Sequence, residues 1–258
     1  MKKLICLLLA VTLVFTLCAC GKKDVVDNKD GELDDEITDV VSADDNETNE
    51  PETESSTENR VNIYEVGFYI TYGSYEQDND TSNGKEDIEW LVLDVQDGKA
   101  LVISKNIIDC KPYNTEYDFV TWETCSLREW LNNDFINTAF SDDEKTKIPM
   151  VTVSVDSNSS YMVNPVTETQ DKIFLLSITE AYEYFASDIA RQCKPTDYAR
   201  ERGVVIASSS GNGWWWLRSS SSLSGADVVL MDGGFSEYGY PVESDSVGVR
   251  PAMWITIE

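Results

Sequence analysis

The chain has 258 residues, of which 47 are acidic and 20 basic, so its formal net charge at pH 7 is −27. It contains no histidine, which excludes Ser–His–Asp hydrolysis, Cys–His nucleophiles and nearly all catalytic zinc sites. A strong negative charge without a basic patch argues against nucleic acid as a partner and against direct electrostatic adhesion to anionic lipid.

Residues 1–20 have the pattern of an export signal. Two lysines precede the apolar run LICLLLAVTLVFTL, which has the length of a signal-peptide core and is short for a membrane-spanning helix. The next residues, LCACG, resemble a bacterial lipobox. This resemblance implies that Cys20 is lipidated, becomes the first residue of the mature chain and anchors it to the outer face of a bacterial cytoplasmic membrane. An ordinary secretory signal is the alternative.

Residues 21–60 differ in composition from the rest of the chain. They include 15 acidic and 4 basic residues and no aromatic residue. Such a segment buries too little apolar surface to offset the entropy of ordering, which predicts a disordered, self-repelling tether. A passive spacer is the favoured role, and binding by the acidic run is the alternative. Residues 61–258 hold every tryptophan and tyrosine and suffice for one folded domain.

Strand signals open this domain. Residues 66–73 (VGFYITYG) are rich in β-branched and aromatic side chains, and apolar runs at 88–95 and 100–103 flank the pair Asp97-Gly98. An Asp-Gly pair between two apolar runs is a strong hairpin signal. The two runs are therefore predicted to form an antiparallel pair.

The segment DNDTSNGKEDIE (78–89) has oxygen-bearing side chains at the spacing of an EF-hand calcium loop. Asp78, Asp80 and Glu89 fall at positions one, three and twelve. Asn83 stands where the loop needs glycine, and Glu89 begins a strand where the motif needs a helix. A solvated polar loop is the favoured interpretation, and a calcium site at Asp78, Asp80 and Glu89 is the alternative.

Three capping boxes, each a serine followed three residues later by a glutamate, predict helix starts in the middle of the domain. The pairs are Ser126 with Glu129, Ser141 with Glu144, and Ser177 with Glu180. Thr196 is predicted to cap a further short helix in CKPTDYARERG.

The stretch around the first predicted helix gathers several polar and aromatic side chains. They are Trp122, Glu123, Arg128, Glu129, Asn133 and Asp134. Two carboxylates act as a glycosidase pair only at a suitable separation in space, which the sequence does not give. Helix capping and surface ion pairs are the favoured explanation, so no catalytic residue is assigned.

Three cysteines lie in the domain: Cys110, Cys125 and Cys193. Outside the cell an odd number permits one disulfide with a free thiol, or three buried thiols. Their spacing matches no zinc motif, and packing roles are favoured.

The last third of the chain is predicted to contain short strands in GNGWWWLRS, ADVVLMDGGF and VGVRPAMWITI. Pro251 inside the last run predicts an edge strand or a bulge, because proline donates no ladder hydrogen bond. The predicted fold class is α+β: a single irregular domain with small twisted antiparallel sheets and a few short helices.

The tryptophan triplet raises the question of a binding surface. In a strand, Trp214, Trp216 and Arg218 share one face, whereas Trp215 and Leu217 share the other. We predict that Trp215 and Trp216 are mainly structural, that Arg218 stacks on Trp216 or meets a buried acid, and that Trp214 is the most exposed of the three. The candidate ligand-binding residues are Asn212, Trp214, Trp216 and Arg218.

Several motifs occur in the same order as in a bacterial family. They are GSYEQ, IEWLVLDVQDGKALVISKNIID, TWETCSLREWLNNDFINTAFSDDEKTKI, DKIFLLSITEAYEYF, CKPTDYA, WWWLRS and VGVRPAMWI. Over about residues 66–257 the chain resembles the family called domain of unknown function 6273, a resemblance that implies no particular activity.

The closing WLRS and GVRPA resemble, more distantly, the ends of C-type-lectin-like domains and of the formylglycine-generating (sulfatase-modifying-factor) enzymes. That resemblance implies a late tryptophan-rich segment packed with a final strand in a small irregular sheet. Those enzymes hold copper with a late pair of cysteines, whereas no cysteine follows Cys193 here. The copper-dependent activity is therefore not expected.

The favoured function is that of a lipid-anchored extracytoplasmic protein with a non-catalytic binding domain for glycan or another envelope or surface ligand. Aromatic side chains can stack on sugar rings while their polar edges stay satisfied. A structural or assembly protein of the envelope is one alternative, and a carboxylate-based enzyme acting on glycan is another. No cofactor is expected apart from the calcium alternative.

Overall fold

The computed structural model describes residues 64–155, 167–222, 224–236 and 238–257. The predicted signal (1–20, with Cys20) and tether (21–60) lie outside the described residues. Within those ranges, no helix combines the length and apolar character needed to cross a membrane. The described chain is α+β, with small, mainly antiparallel sheets and short helices, as predicted.

The first sheet is antiparallel and joins both ends of the described chain. In spatial order its strands are β1 (Tyr69–Tyr75), β2 (Glu86–Gln96), β3 (Lys99–Ser104), β12 (Ala252–Thr256) and β7 (Ile173–Phe174). The predicted hairpin is confirmed as β2–β3. Its turn residues Asp97 and Gly98 both have positive φ, 49° and 69°, as a type I′ turn requires. The first predicted strand is also confirmed, with its start at Tyr69 instead of residue 66.

The second sheet contains the tryptophan segment. In spatial order its strands are β10 (Tyr240–Pro241), β9 (Gly225–Val229), β8 (Trp215–Ser222), β11 (Gly248–Val249) and β4 (Asp109–Cys110). Strands β8 and β11 pair in parallel, with Trp215 opposite Gly248, and the other pairs are antiparallel.

The predicted edge or bulge at Pro251 is wrong. Pro251 lies between β11 and β12, where the chain leaves the second sheet for the first, and β12 lies between two other strands of its sheet. The missing N–H of proline is therefore not needed inside either strand.

A third, two-stranded sheet and six short helices complete the described fold. The strands are β5 (Val151–Val155) and β6 (Thr167–Asp171). The helices are α1 (Ser126–Trp130), α2 (Ile136–Ala139), α3 (Asp142–Thr146), α4 (Ile178–Tyr184), α5 (Asp188–Arg191) and α6 (Asp197–Glu201). A π-helical turn (Leu131–Phe135) joins α1 to α2. Because the three segments follow one another without a break, 126–139 is one continuous helical stretch.

Two of the three predicted capping boxes are confirmed, at Ser141 and at Ser177. The Thr196 cap is confirmed as well, because its hydroxyl accepts the N–H of Ala199. The box at Ser126 is wrong, since Ser126 is already the first residue of α1. Its hydroxyl accepts the Thr115 N–H at 3.0 Å instead. A tertiary contact with the 114–115 loop therefore replaces the local cap.

The core is aromatic. Its fully buried side chains include Trp90, Trp122, Trp215, Trp216, Tyr113 and Phe135. All three cysteines of the domain are free and buried, which confirms the interpretation as packed thiols. Burial raises the pKa of the Cys110 and Cys125 thiols to about 12, so both are held in the neutral form that an apolar core tolerates.

Candidate functional site

Trp215 and Trp216 are both fully buried, which confirms their structural role. The indole N–H of Trp215 donates to the Arg191 carbonyl at 3.2 Å, and that of Trp216 donates to the Lys111 carbonyl at 2.9 Å. Strand β8 lies between β9 and β11 in its sheet, and the sheet is covered on the sides of both indoles. Trp216, although one of the candidate ligand-binding residues, therefore does not reach the surface.

Arg218 pairs with an acid, as one of its two predicted roles requires, but this acid, Glu180, is only partly buried, with 26% of its side chain exposed. The Arg218 side chain is only 2% exposed, and its guanidinium group donates to both carboxylate oxygens of Glu180 at 2.5 and 2.6 Å. Further N–H groups donate to the carbonyls of Leu175 at 2.7 Å and Ser154 at 2.9 Å. The guanidinium carbon lies 5.7 Å from the centre of the Phe174 ring. Arg218 thus ties β8 to the start of α4 and to β5.

Asn212 is also buried. Its side-chain N–H groups donate to the Gln192 side chain at 2.9 Å and to the Met231 carbonyl at 3.3 Å. Asn212 and Arg218 therefore bind other parts of the chain and hold the tryptophan segment in place.

Trp214 is the member of the triplet that solvent reaches, because it is only half-buried against the core. Its ring makes a T-shaped contact with the ring of Tyr240, with 5.0 Å between the centroids. Its backbone carbonyl accepts the N–H of Gly248 at 2.9 Å. The indole is therefore packed against Tyr240, while the Trp214 backbone is bonded to β11.

Further tyrosines lie on the β9–β10 side of the second sheet, and one of them, Tyr240, contacts Trp214. Tyr240 is on the edge strand β10, opposite Ala226 of β9. Tyr238 and Tyr117 are 68% and 69% exposed, and the Tyr117 hydroxyl accepts a hydrogen bond from Ser224 at 3.2 Å. We call the pair formed by Trp214 and Tyr240 the aromatic edge.

The residues of the candidate calcium loop are divided between two places. Glu89 lies on β2 and pairs with Lys105 at 2.6 Å. Asp78 accepts the Asp80 N–H at 2.8 Å and the Asn83 side-chain amide at 2.8 Å, and the latter bond is the main cause of its lowered pKa. Among the described residues, Glu76, Asp78 and Glu86 form a group whose carboxylate oxygens lie within 4.8 Å of one another.

Two of these three carboxylates, those of Asp78 and Glu86, accept hydrogen bonds from their own loop. Glu86 accepts the backbone N–H groups of Gln77 at 2.7 Å and Asp78 at 3.3 Å. Desolvation, followed by the nearby carboxylate of Glu86, raises the pKa of Glu76. The Asp78 loop is thus stabilised by hydrogen bonds within the chain, in the way expected of a polar loop.

A polar cleft of about 440 Å³ opens beside helix α1. It is lined by Glu123, Thr124, Cys125, Arg128, Glu129, Asn132, Asn133, Met150, Gln170, Asp171 and Lys172. Glu123, Arg128, Glu129 and Asn133 are among the polar residues that stand out in the sequence, whereas Trp122 is buried and Asp134 does not line the cleft. We call this site the polar cleft.

Asp171 forms the floor of the polar cleft. Its carboxylate is fully buried and accepts Arg128 Nε at 2.6 Å, Trp122 Nε1 at 2.9 Å and Thr169 Oγ1 at 2.6 Å. A buried carboxylate is tolerated only with such charge-assisted partners. The sequence pattern does not reveal Asp171, because Arg128 and Trp122 lie 43 and 49 residues away in the chain.

Asn132, in the π-helical turn, joins this floor to the helix. Its side-chain oxygen accepts the N–H groups of Lys172 at 2.9 Å and Ile173 at 3.2 Å, and its amide donates to the Ile173 carbonyl at 2.8 Å. The π-helical turn therefore docks onto the segment between β6 and β7. Arg128 and Asn132 face the floor, whereas Glu129 and Asn133, one position further along, line the opening.

These features define a small α+β domain with a buried arginine paired with a partly buried glutamate, an aromatic edge and a polar cleft. The chain belongs to the family described as domain of unknown function (DUF6273), whose model matches residues 97–257. The expected membership is thereby confirmed, and the matched range begins at the β2–β3 turn, after β1. No curated protein and no solved structure was found to match the chain.

Proposed function

We propose that this protein is a lipoprotein on the outer face of a bacterial cytoplasmic membrane, where it displays a non-catalytic domain that binds carbohydrate. The export signal and the lipobox-like LCACG support the anchor at Cys20. The acidic composition of 21–60 supports a tether that keeps the domain away from the membrane.

The observation that carries the carbohydrate proposal is the half-buried Trp214 packed edge-to-face on Tyr240. The C–H face of a sugar ring stacks on an indole, and neighbouring phenol hydroxyls bond its hydroxyl groups. Because the Trp214 indole is already packed against Tyr240, binding would cost little side-chain entropy. The contact surface is the aromatic edge, while Asn212, Trp216 and Arg218 support it from behind.

We also propose a C-type-lectin-like or sulfatase-modifying-factor-like arrangement for the second sheet. The supporting observation is that the tryptophan-rich strand β8 pairs with the late strand β11 through Trp215 and Gly248. A superposition of an experimental structure on lectin-like domains tests this, and a different strand connectivity would refute it.

A glycan array probed with the full chain, with and without calcium, tests the binding function. We expect binding to a subset of glycans, with a loss of about tenfold or more in Trp214→Ala. Phe68→Ala is the matched control, because Phe68 is an aromatic residue, 58% exposed, that precedes β1 of the other sheet. Silence across glycans, peptidoglycan fragments and mucins would refute the carbohydrate ligand and favour a structural or assembly role in the envelope.

The anchor has its own test in the host cell. Cys20→Ser is expected to move the protein from the membrane fraction to the soluble extracytoplasmic fraction, because the thiol that carries the lipid is removed. Cys18→Ser is the matched control. An unchanged distribution of Cys20→Ser would support an ordinary secretory signal or another anchor instead.

A second candidate function, a carboxylate-based enzyme acting on glycan, is favoured by one observation: Glu123 and Glu129 both line the polar cleft. We propose that the domain is non-catalytic. Incubation with envelope polysaccharides is therefore expected to release no new reducing ends. Release that disappears in Glu123→Gln or Glu129→Gln would establish the enzyme.

A further inference from the structure

The polar cleft is a concave site distinct from the aromatic edge. Its volume, about 440 Å³, falls in the range of small-molecule sites. It is formed by α1, the π-helical turn and the segment around β6, all held together by the buried Asp171 and by Asn132. Its shape is therefore fixed by buried hydrogen bonds before any ligand arrives.

The cationic side chains of the cleft are already in use. Every nitrogen of the Arg128 guanidinium donates to the protein: Nε to Asp171, and the terminal nitrogens to the backbone carbonyls of Glu123 and Gln170. The Lys172 ammonium donates to the Lys145 carbonyl at 3.0 Å, on the side of α3. Neither cation is therefore directed at a ligand in the cleft.

The carboxylates at the opening of the cleft, unlike its cations, are not engaged by the described part of the chain. Glu123 and Glu129 are exposed lining residues, and neither carboxylate makes a hydrogen bond or an ion pair with any part of the chain that the structure describes. Because Asp171 is neutralised by Arg128, these two carboxylates outweigh the single charge of Lys172. The opening thus carries a net negative charge with free acceptors.

The other side chains that line the cleft indicate which further groups a ligand needs besides a positive charge. Thr124, Asn133 and Gln170 supply hydroxyl and amide groups, whereas Met150 is the main apolar side chain of the wall and is 57% exposed. A lysine side chain needs a longer apolar wall for its four methylene groups. A compact ring with several hydroxyl groups and one positive charge fits the lining better.

We infer that the polar cleft binds an amino sugar with a free, unacetylated amino group, whose ammonium lies between Glu123 and Glu129. The ring hydroxyls hydrogen-bond Asn133 and Gln170, and one ring face lies against Met150. This site is independent of the aromatic edge, so either can fail without the other.

Titration of the full chain with D-glucosamine, followed by NMR chemical shifts, tests the inference. We expect saturable shifts at α1 and at 170–172, about fivefold weaker binding in Glu123→Gln or Glu129→Gln, and weaker binding in high salt. Glu201→Gln, at an exposed position on α6, is the matched control and is expected to bind like the wild type. Trp214→Ala is also expected to keep this binding, which separates the cleft from the aromatic edge.

N-acetyl-D-glucosamine is the decisive comparison, because acetylation removes the charge and leaves the ring. We expect it to bind at least tenfold more weakly than D-glucosamine. Equal binding of the two sugars, no binding of D-glucosamine, tighter binding of a lysine peptide, or unchanged affinity in both glutamine variants would each overturn the inference. The variants replace exposed side chains, so an unchanged melting temperature identifies any loss of affinity as local.

Discussion

The carboxylate of Glu180 holds two structures at once: it closes the capping box at Ser177 and makes a two-point contact with the guanidinium group of Arg218. One side chain thereby links the first turn of α4 to the strand that carries the tryptophans. Arg218 adds hydrogen bonds to the carbonyls of Leu175 and Ser154. The position of Trp214 at the surface depends on this contact, because it fixes the strand that follows.

Breaking this pair is expected to be costly. Arg218→Leu leaves a carboxylate and two carbonyls without their donor, so we expect a loss of about 3 kcal/mol in the free energy of unfolding, measured by urea denaturation. Arg218→Lys is expected to lose less, because lysine keeps the charge but not the two-point geometry. Arg200→Lys, in an exposed pair with Asp197 at 3.9 Å, is expected to cost less than about 0.5 kcal/mol. A cost for Arg218→Leu as small as this control would contradict the role of the pair.

Gly233 occupies a position that no other residue fits. Its φ is +88°, and an added Cβ would overlap the backbone carbonyl of Asp188. We expect Gly233→Ala to lower the free energy of unfolding by about 3 kcal/mol or more. Gly211→Ala is the matched control: its φ is +74°, but an added Cβ meets no atom within 4 Å, so only backbone strain of about 1 kcal/mol is expected. Equal costs would show that the overlap relaxes freely.

The elements that could be predicted from the sequence are those decided by neighbouring residues. The Asp97-Gly98 turn and the capping boxes at Ser141 and Ser177 need only a few adjacent residues. The box at Ser126 failed because its hydroxyl is engaged by Thr115, a partner outside the helix.

At the candidate site, too, the sequence predicted only what neighbouring residues decide. Strand alternation correctly separated Trp214 from Trp215, but it could not show that both faces of β8 are covered, which buries Trp216 as well. The polar cleft was even harder to predict from the sequence, because its walls bring residues 123–133 together with Met150 and residues 170–172. Only the fold brings these segments together around the buried carboxylate of Asp171.

The three thiols of the domain are expected to be inert in the native protein. Cys110, Cys125 and Cys193 are buried, and burial raises the pKa of all three, so very little reactive thiolate forms at about pH 8. Alkylation followed by peptide mass spectrometry is expected to label them only after unfolding, and to find no disulfide among them. Rapid labelling of Cys125 in the native state would show that the helix at 126–139 opens readily.

Stability is expected to fall in alkaline solution, because several groups are held protonated by the fold. The pKa of Tyr72 is raised from 10.0 to about 12, first by burial and then by Glu144, and that of Tyr184 is raised to about 12, chiefly by burial. The unfolded chain therefore releases these protons first as the pH rises. The stabilising contribution is complete below about pH 10 and is lost as the pH approaches about 12.

Urea midpoints measured across this pH range test whether stability falls as the pH rises and whether these tyrosines cause the fall. Each tyrosine contributes at most about 1.4 kcal/mol per pH unit, and less here, because both rings are partly exposed and solvent screens the interaction. Tyr72→Phe also loses the hydrogen bond to the Glu144 carbonyl, which lowers stability at every pH. The informative quantity is therefore the slope above about pH 10, which is expected to be shallower in Tyr72→Phe. Tyr117→Phe, at an exposed position, is expected to keep the wild-type slope, and a slope unchanged in Tyr72→Phe would show that this phenol does not drive the alkaline loss.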